Sequence, residues 1–333
     1  MKKNILITGA SGFIGSYLVE EALHRNYHTV AGIRRSSSKQ YLRQPGLGFL
    51  EMDFESDALL NESIRSFTER FGKIDYVIHN AGITRAKDNQ HYETVNAGNT
   101  ERLVNALIRN KQVPEKFVLI SSLAAFGPSE TDEPVGAHQV PRPLTGYGKS
   151  KLIAEKILYN TKGFPFVIIN PTAVYGPRDK DVFFLMKSIQ NHFEVYIGSS
   201  HQLLSFVHVQ DLCRAIFLAM ESDAVRKNFL ISDLQVYTSK EFNRLVKKEL
   251  GVKTISLVLP GGVVKTVAIF AEAIGKITGK IPIINRERLK EFEARNWAVN
   301  AGEIKNLGFE PQYGLEAGLK HSIQWYKEQG WLK

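Results

Sequence analysis

Cysteine is almost absent from this chain: its 333 residues contain one, Cys213. A single thiol excludes an internal disulfide framework and suits a reducing compartment, so a cytoplasmic location is expected. Cys213 falls in the helical run Leu212–Ile216 and is expected to be a small buried hydrophobe. Long apolar runs are also missing. None reaches 18 uninterrupted residues, so no integral membrane segment is expected. The first residues enter a strand-like run without the basic, apolar and small-residue pattern of a secretory signal. Acid is in deficit, with 34 Asp and Glu against 43 Lys and Arg, a net charge of +9. The excess is uneven: residues 240–290 hold eleven Lys or Arg and four Glu. No nucleic-acid recognition motif accompanies that charge. It points to anionic small ligands and solvated lysines, and neither nucleic acid nor a metal is an expected partner. Repeats and low-complexity stretches are absent too.

What is present begins at once. The apolar run Asn4–Ile7 leads directly into Thr8-Gly9-Ala10-Ser11-Gly12-Phe13-Ile14-Gly15, and the helical pattern Tyr17, Leu18, Glu21, Ala22 follows. A strand that ends in a tight glycine turn and opens a helix brings free N–H groups to face the turn. Side chains at Gly9 or Gly12 would block a pyrophosphate from that helix start. The placement is the context that turns a three-glycine match into a dinucleotide site.

Short apolar runs then alternate with helical patterns. Candidate strands are 5–8, 29–34, 49–52, 76–79, 117–121, 167–170 and 229–231. Such alternation implies an α/β fold, a Rossmann-type doubly wound parallel sheet. Residues 1–170, with a returning segment 205–232, are expected to form the dinucleotide-binding domain. Residues 171–204 and 233–333 are expected to form a smaller mixed C-terminal substrate domain, a lid. Ligands of such sheets bind beyond the carboxyl ends of the strands. The glycine turn, Asn80–Gly82 and Ser121–Ser122 all fall there.

Tyr147 and Lys151 stand four apart, on one face of a helix. A free tyrosine, with a pKa near ~10, is a poor base at neutral pH. A neighbouring ammonium, and the positive charge of an oxidised nicotinamide, favour the phenolate. Tyr147 can then move a proton while hydride moves to or from the ring. Ser122, just past a strand, would hydrogen-bond the same substrate oxygen.

With these motifs in order, the chain resembles an extended short-chain dehydrogenase/reductase of the NAD(P)-dependent epimerase/dehydratase family. The resemblance spans nearly the whole chain. It includes Val95-Asn96, Tyr175-Gly176-Pro177, Phe206-Val207-His208-Val209-Gln210-Asp211, Leu307-Gly308-Phe309, Trp325-Tyr326 and Gly330-Trp331. It implies Ser122, Tyr147 and Lys151 as the catalytic set, and Asp53-Phe54 at the adenine. It further implies cofactor contacts along Gly9, Ser11, Gly12, Phe13, Ile14 and Gly15, at Asn80, Ala81, Gly82 and Asn96, and at Lys151, Asn170 and Pro171. A homodimer is compatible with the family. His208 and Asp211 are expected to be structural, Asp211 as a helix cap, and Trp325 and Trp331 to be packing residues of the last helix.

The second strand ends Ile33-Arg34-Arg35-Ser36 where users of NAD carry a carboxylate for the ribose. A guanidinium suits a 2′-phosphate. NADP(H) is therefore the expected cofactor, with NAD(H) possible. For the substrate, Leu204 stands where nucleotide-sugar members usually carry Arg, and Ala173 where they often carry Asn. Ile169-Asn170-Pro171-Thr172 resembles dihydroflavonol-reductase-like and 3β-hydroxysteroid-dehydrogenase-like members, as does Arg34 after the strand. Lys187, Arg286 and Arg288 remain available to an anion. The expected activity is oxidoreduction of a ketone or secondary alcohol on a small, fairly apolar molecule. A nucleotide-sugar epimerase, dehydratase or reductase is the alternative, and a non-catalytic cofactor sensor a remote one. Within Ile255–Ile274, the residues Val263, Val264, Val267, Phe270, Ala271 and Ile274 share one helical stripe. The stripe is read as lining a greasy substrate pocket, with peripheral contact to an anionic membrane as the competing reading.

Overall fold

The structure, a computed structural model, describes residues 2–197, 199–266, 268–269 and 286–333. In chain order the first elements are β1 (Asn4–Thr8), α1 (Phe13–His24), β2 (His28–Ile33), β3 (Gly48–Glu51), α2 (Asp57–Phe71) and β4 (Tyr76–His79). There follow α3 (Asn89–Tyr92), α4 (Asn99–Arg109), β5 (Lys116–Ile120), α5 (Gly146–Asn160) and β6 (Phe166–Pro171). Next come β7 (Ala173–Tyr175), α6 (Asp181–Gln190), β8 (Phe193–Ile197), β9 (Leu203–Leu204), β10 (Phe206–His208) and α7 (Val209–Glu221). The series continues with β11 (Lys227–Ile231), β12 (Tyr237–Thr238), α8 (Ser239–Leu250) and β13 (Ile255–Leu259).

Seven strands form one sheet in the order β11-β6-β5-β4-β1-β2-β3. The pairs from β6 to β3 run parallel, with Ile5 opposite Thr29 on one side and Tyr76 on the other. The seven strands are the seven read from the sequence, each within two residues at either end. Every residue of β4 and β5 is buried. Strands covered on both faces read as short unbroken apolar runs, which is why they were legible. The order reverses between β1 and β4, and the loops after those two strands diverge there. In a doubly wound sheet that is the ligand position.

The chain divides into two compact units. The first comprises residues 1–122, 150–170 and 213–229; the second comprises 123–149, 171–212 and 230–333. The division differs from the expected one at 123–149, 205–212 and 230–232, which group with the second unit. Backbone bonds explain the largest difference. Ser129 N–H donates to Asn296 O at 2.9 Å and Val135 N–H to Ala298 O at 2.8 Å, so the loop after β5 is stitched to the C-terminal part of the chain.

Each unit has its own core. In the first, Leu6, Val77, Phe117 and Ile168 of the sheet pack with Ile64 and Phe67 of α2, Leu103 and Leu107 of α4, and Ala154 and Leu158 of α5. Ser56 caps α2 by accepting the Leu59 N–H. In the second, Tyr175, Phe183, Met186, Phe242 and Val246 pack against Leu319, Ile323 and Tyr326 of the last helix, Leu315–Glu328. A capping box between Thr238 and Glu241 starts α8. Tyr326 donates to both Gly176 O and Asp179 O, fixing the Tyr175-Gly176-Pro177 corner.

Two features of this unit go beyond the sequence reading. Asp211 lies inside the first turn of α7, and its carboxylate accepts the N–H groups of Gln312 at 3.0 Å and Tyr313 at 2.9 Å, a hundred residues away. It thereby anchors the C-terminal segment. Ile255–Leu259, which is not among the expected strands, pairs in parallel with β8. Helix begins at Gly261, with Val263 exposed and Val264 buried; Val267, Phe270, Ala271 and Ile274 lie outside the described residues. Trp331 packs on Phe183, Trp325 and Tyr326 but stands beyond the last helix, which ends at Glu328. Cys213 is buried in α7. Among the described residues no helix is long and apolar enough to cross a membrane.

Candidate active site

β1 delivers the chain into the glycine turn. Gly9 has φ +65°, and a Cβ there would lie 2.8 Å from the Ala81 backbone. A Cβ on Gly15 would lie 2.1 Å from Gly9 O. Both must lack a side chain for α1 to start hard against the ends of β1 and β4. α1 opens at Gly12 with no side-chain cap and no acidic residue in its first turn. Its leading N–H groups are left for an anion, and the cradle fits the diphosphate of a dinucleotide. Gly12 is exposed, while Ser11, Phe13 and Ile14 are half-buried.

The loop after β4 is tied to this turn. Asn80 Nδ2 donates to Gly9 O at 3.3 Å, and Ala81 N–H donates to Thr8 Oγ1 at 3.2 Å. The same hydroxyl lies 2.8 Å from His79 Nδ1. Burial, helped by the charge of Lys151, pushes His79 down to about 3, so its imidazole is neutral. Asn96 sits in a π-helical turn, Glu93–Gly98, the kind of irregularity that recurs at functional sites. Its amide is committed: Oδ1 accepts the Ile83 N–H at 2.8 Å, while Nδ2 donates to Ile83 O at 3.0 Å and Ser150 Oγ at 2.9 Å. Asn96 thereby clamps the Gly82 loop to α5.

α5 carries Tyr147 in its first turn and Lys151 one turn later. Thr145 Oγ1 accepts the Gly148 N–H at 3.2 Å, and Tyr147 is half-buried. Lys151 is 7 % exposed, and its Nζ donates to Ile120 O at 2.8 Å. Burial pushes this ammonium down to about 8, with Glu155 pulling the other way. Gly82 opposite is exposed and leaves room, since a Cβ there would come within 3.3 Å of Lys151 Nζ. Ser122 follows β5, and its carbonyl accepts from Asn170 Nδ2 at 3.2 Å. Asn170 is fully buried, as is Pro171 at the end of β6.

Gly9, Asn80, Ala81, Gly82, Asn96, Ser122, Lys151 and Asn170 are thus linked by short contacts at the carboxyl ends of β1, β4, β5 and β6. The remaining residues read from the sequence follow the strands on the other side of β1. Arg34, Arg35 and Ser36 are exposed just past β2, in a turn closed by Ser37 N–H to Arg34 O at 2.9 Å. Among the described residues neither guanidinium is engaged in an ion pair. Past β3, Asp53 Oδ1 accepts the Glu55 N–H at 2.7 Å and Phe54 rests on the core.

In the second unit, His208 is fully buried, stacks on Tyr313 at 4.1 Å and lies 3.2 Å from His321 Nδ1. Leu204 pairs with Tyr237 and Trp297 and packs on the core, while Ala173 is exposed. Of the cations left open to an anion, Arg288 binds Asp181 at 3.2 Å and Lys187 lies 5.5 Å above the Phe183 ring. The Arg286 side chain is outside the description.

Glu155 was missed. It is 3 % exposed and accepts from Ser121 Oγ, from Asn170 Nδ2 at 2.6 Å and from Asn228 Nδ2 at 3.2 Å. The signal was there: a carboxylate four residues after Lys151 stands on the face of Tyr147 and Lys151.

In sequence and in fold the chain is similar to known proteins. The sequence model of the NAD dependent epimerase/dehydratase family matches residues 5–232. The chain is 23% identical to a ceramide reductase of Caulobacter vibrioides, over 98% of this chain and 96% of that one. It is 25% identical to a putative UDP-glucose 4-epimerase of Methanocaldococcus jannaschii, over 97% and 98%. It is also 25% identical to a decarboxylating sterol-4-alpha-carboxylate 3-dehydrogenase of Dictyostelium discoideum, over 95% and 99%. In fold it is similar to the UDP-glucose 4-epimerase of Thermotoga maritima with UDP-glucose (TM-score 0.79, 22% identity, 98% and 99% covered). It is likewise similar to that of Thermus thermophilus with NAD (TM-score 0.77, 19% identity, 97% and 99% covered).

Proposed function

The chain belongs to the NAD dependent epimerase/dehydratase family and is an NAD(P)-dependent short-chain dehydrogenase/reductase, and from that premise we propose that it interconverts a ketone and a secondary alcohol on a small, fairly apolar substrate, with NADP(H) preferred. The observation that carries this reading is the α5 pair: a half-buried Tyr147 followed one turn later by a buried Lys151 ammonium, at the strand ends that also carry the glycine turn.

A bound nicotinamide cofactor supplies the hydride donor or acceptor. The chain's own residues do the rest. The uncapped start of α1 and the glycine turn receive the diphosphate. Lys151 directs N–H donors past Gly82 and, as a cation, favours the ionised form of Tyr147. The Tyr147 hydroxyl gives a proton to a carbonyl oxygen or takes one from an alcohol. Ser122 orients that oxygen. Asn96 and Asn170 act through backbone groups, holding the Gly82 loop and Ser122 in place. Arg34 and Arg35, unpaired and beside β2, suit a 2′-phosphate; Asp53 and Phe54 border the adenine.

For the substrate, Leu204 and Ala173 offer a nucleotide no charge, and Arg288 is engaged by Asp181. Relatives named for ceramide reduction and sterol-carboxylate oxidation support an apolar substrate. The relative named as a putative UDP-glucose 4-epimerase favours the second reading, a nucleotide-sugar epimerase, dehydratase or reductase. The test is NADPH and NADH oxidation with hydrophobic ketones beside product analysis with nucleotide sugars, because epimerisation and dehydration leave no net change in the dinucleotide. NADPH-dependent turnover confined to the ketones is expected. Turnover confined to nucleotide sugars would transfer the assignment to the second reading, and turnover in neither would remove the oxidoreductase reading.

A further inference from the structure

A carboxylate buried beside a catalytic ammonium, yet not touching it, calls for a reason. Burying an ionised carboxyl is costly unless donors surround it. Glu155 has three, drawn from three adjacent strands: Ser121 just past β5, Asn170 in β6 and Asn228 in β11. The donor pattern also favours its charge, against a burial that raises its pKa. Oε2 faces an Asn228 amide N–H whose own Oδ1 is engaged by the Tyr159 hydroxyl at 2.6 Å. At Oε2 a protonated carboxyl would find no acceptor, and the three donors of Ser121, Asn170 and Asn228 together favour the carboxylate.

The three residues at the end of β5 are all gripped. Lys151 Nζ holds Ile120 O, Glu155 holds the Ser121 hydroxyl, and Asn170 Nδ2 holds Ser122 O while its other hydrogen reaches Glu155. We propose that Glu155 is a positioning residue: its carboxylate fixes Ser121 and Asn170 on either side of Ser122, and its charge, one helical turn from Lys151, keeps that ammonium protonated. The ion pair is not closed, since Lys151 Nζ binds Ile120 O, and the influence runs through a poorly screened interior over about 6 Å.

Other groups around Lys151 do not substitute for it. His79 faces it from β4 as a neutral imidazole. Tyr147 precedes it on α5. Tyr159, beyond Glu155 on the same helix, is held in its neutral form by burial, and Arg226 binds the Tyr159 carbonyl. Burial alone lowers Lys151, and Glu155 limits that fall.

The inference rests on Lys151 as a cofactor-holding cation, and the experiment separates the two. NADP binding to the full chain is followed by protein fluorescence from pH 6.5 to 10, in wild type, Glu155→Gln and Lys151→Met. Wild type is expected to lose affinity as Lys151 deprotonates near pH 8. In Glu155→Gln the midpoint should fall by about one pH unit, leaving affinity within about twofold at pH 6.5 but about fivefold weaker at pH 8. Lys151→Met should show no such decline. A uniform loss at every pH, or an unmoved midpoint, overturns the role of Glu155 while leaving that of Lys151 intact. A wild-type profile without the decline, matched by Lys151→Met, overturns both. Should Glu155→Gln fail to fold, Asn228→Ala removes one donor from the carboxylate. It is expected to shift the midpoint the same way by less, and an unmoved midpoint in that variant overturns the proposal.

Discussion

Two buried glutamates, one in each unit, are built alike and behave oppositely. Glu194 in β8 is 2 % exposed and accepts from Lys247, Tyr196, Thr254 and Ser256. Its cation closes on it, with Lys247 Nζ 2.6 Å away. Burial opposes the charge, but those hydrogen bonds outweigh it and hold Glu194 down to about 2. Glu155 accepts from donors at three strands, yet its cation points elsewhere. Burial raises Glu155, with hydrogen bonds from Ser121, Asn170 and Asn228 opposing, and lowers Lys151 to about 8. The first cluster neutralises itself and serves the fold. In the second, the two charges are not closed on one another, and perturbed groups of this kind cluster at functional sites.

The sharpest way to break that comparison is to remove each lysine. Lys151→Met is expected to reduce turnover about 10²–10⁴-fold, the range for a lost group in proton-transfer chemistry. Its stability should not fall. The depression from 10.5 to about 8 corresponds to about 3 kcal/mol against the buried ammonium, offset by about 1 kcal/mol for the lost bond to Ile120 O. Because the folded-state value is lowered, the stability of wild type rises with pH between about 8 and 10.5. The advantage of Lys151→Met should therefore be greatest below pH 8 and fade above it, as urea unfolding at several pH values would show. Equal destabilisation of Lys151→Met at all pH values would erase the contrast.

Lys247→Met should do the reverse. Lys247 is 29 % exposed, so solvent screening limits the loss to about 1–2 kcal/mol, with turnover per folded molecule unchanged. Here the folded-state value of Glu194 is depressed, so its contribution is complete above pH 4.5 and lost as pH falls towards 2. The stability gap between wild type and Glu194→Gln should close over that interval. A gap undiminished at pH 2.5 would show that packing and not charge sets it.

The smallest effect concerns the cofactor. Arg34→Asp removes a cation from the turn after β2 and sets an anion there. Preference for NADP over NAD should fall about tenfold or more, each factor of ten being about 1.4 kcal/mol. Wild type binding both dinucleotides equally, by fluorescence titration, would show that Arg34 reads no phosphate.

The same contrast explains what was legible in the sequence. The sheet was readable because its strands are short apolar runs, buried on both faces and bounded by glycine, asparagine or serine. Tyr147 and Lys151 were readable because a helix turns spacing into proximity. Glu155 was not recognised, because its meaning lies in Ser121, Asn170 and Asn228, which are distant in sequence and adjacent only in the sheet. The tie from Asp211 to Gln312 and Tyr313 was not recognised for the same reason, since they meet only through folding. Ile255–Leu259 was not read as a strand, although its partner, Phe193–Ile197, alternates exposed and buried residues in strand fashion.

The central claim is that Tyr147 moves the proton that accompanies hydride transfer. Its most direct test is a single-turnover measurement of NADPH oxidation with a ketone substrate, in wild type and Tyr147→Phe, beside the NADPH dissociation constant of each. The account predicts a hydride-transfer rate about 10²–10⁴-fold lower in the variant, with cofactor affinity within about threefold, because the glycine turn and α1 that receive the diphosphate are untouched. A variant that transfers hydride at nearly the wild-type rate would contradict it.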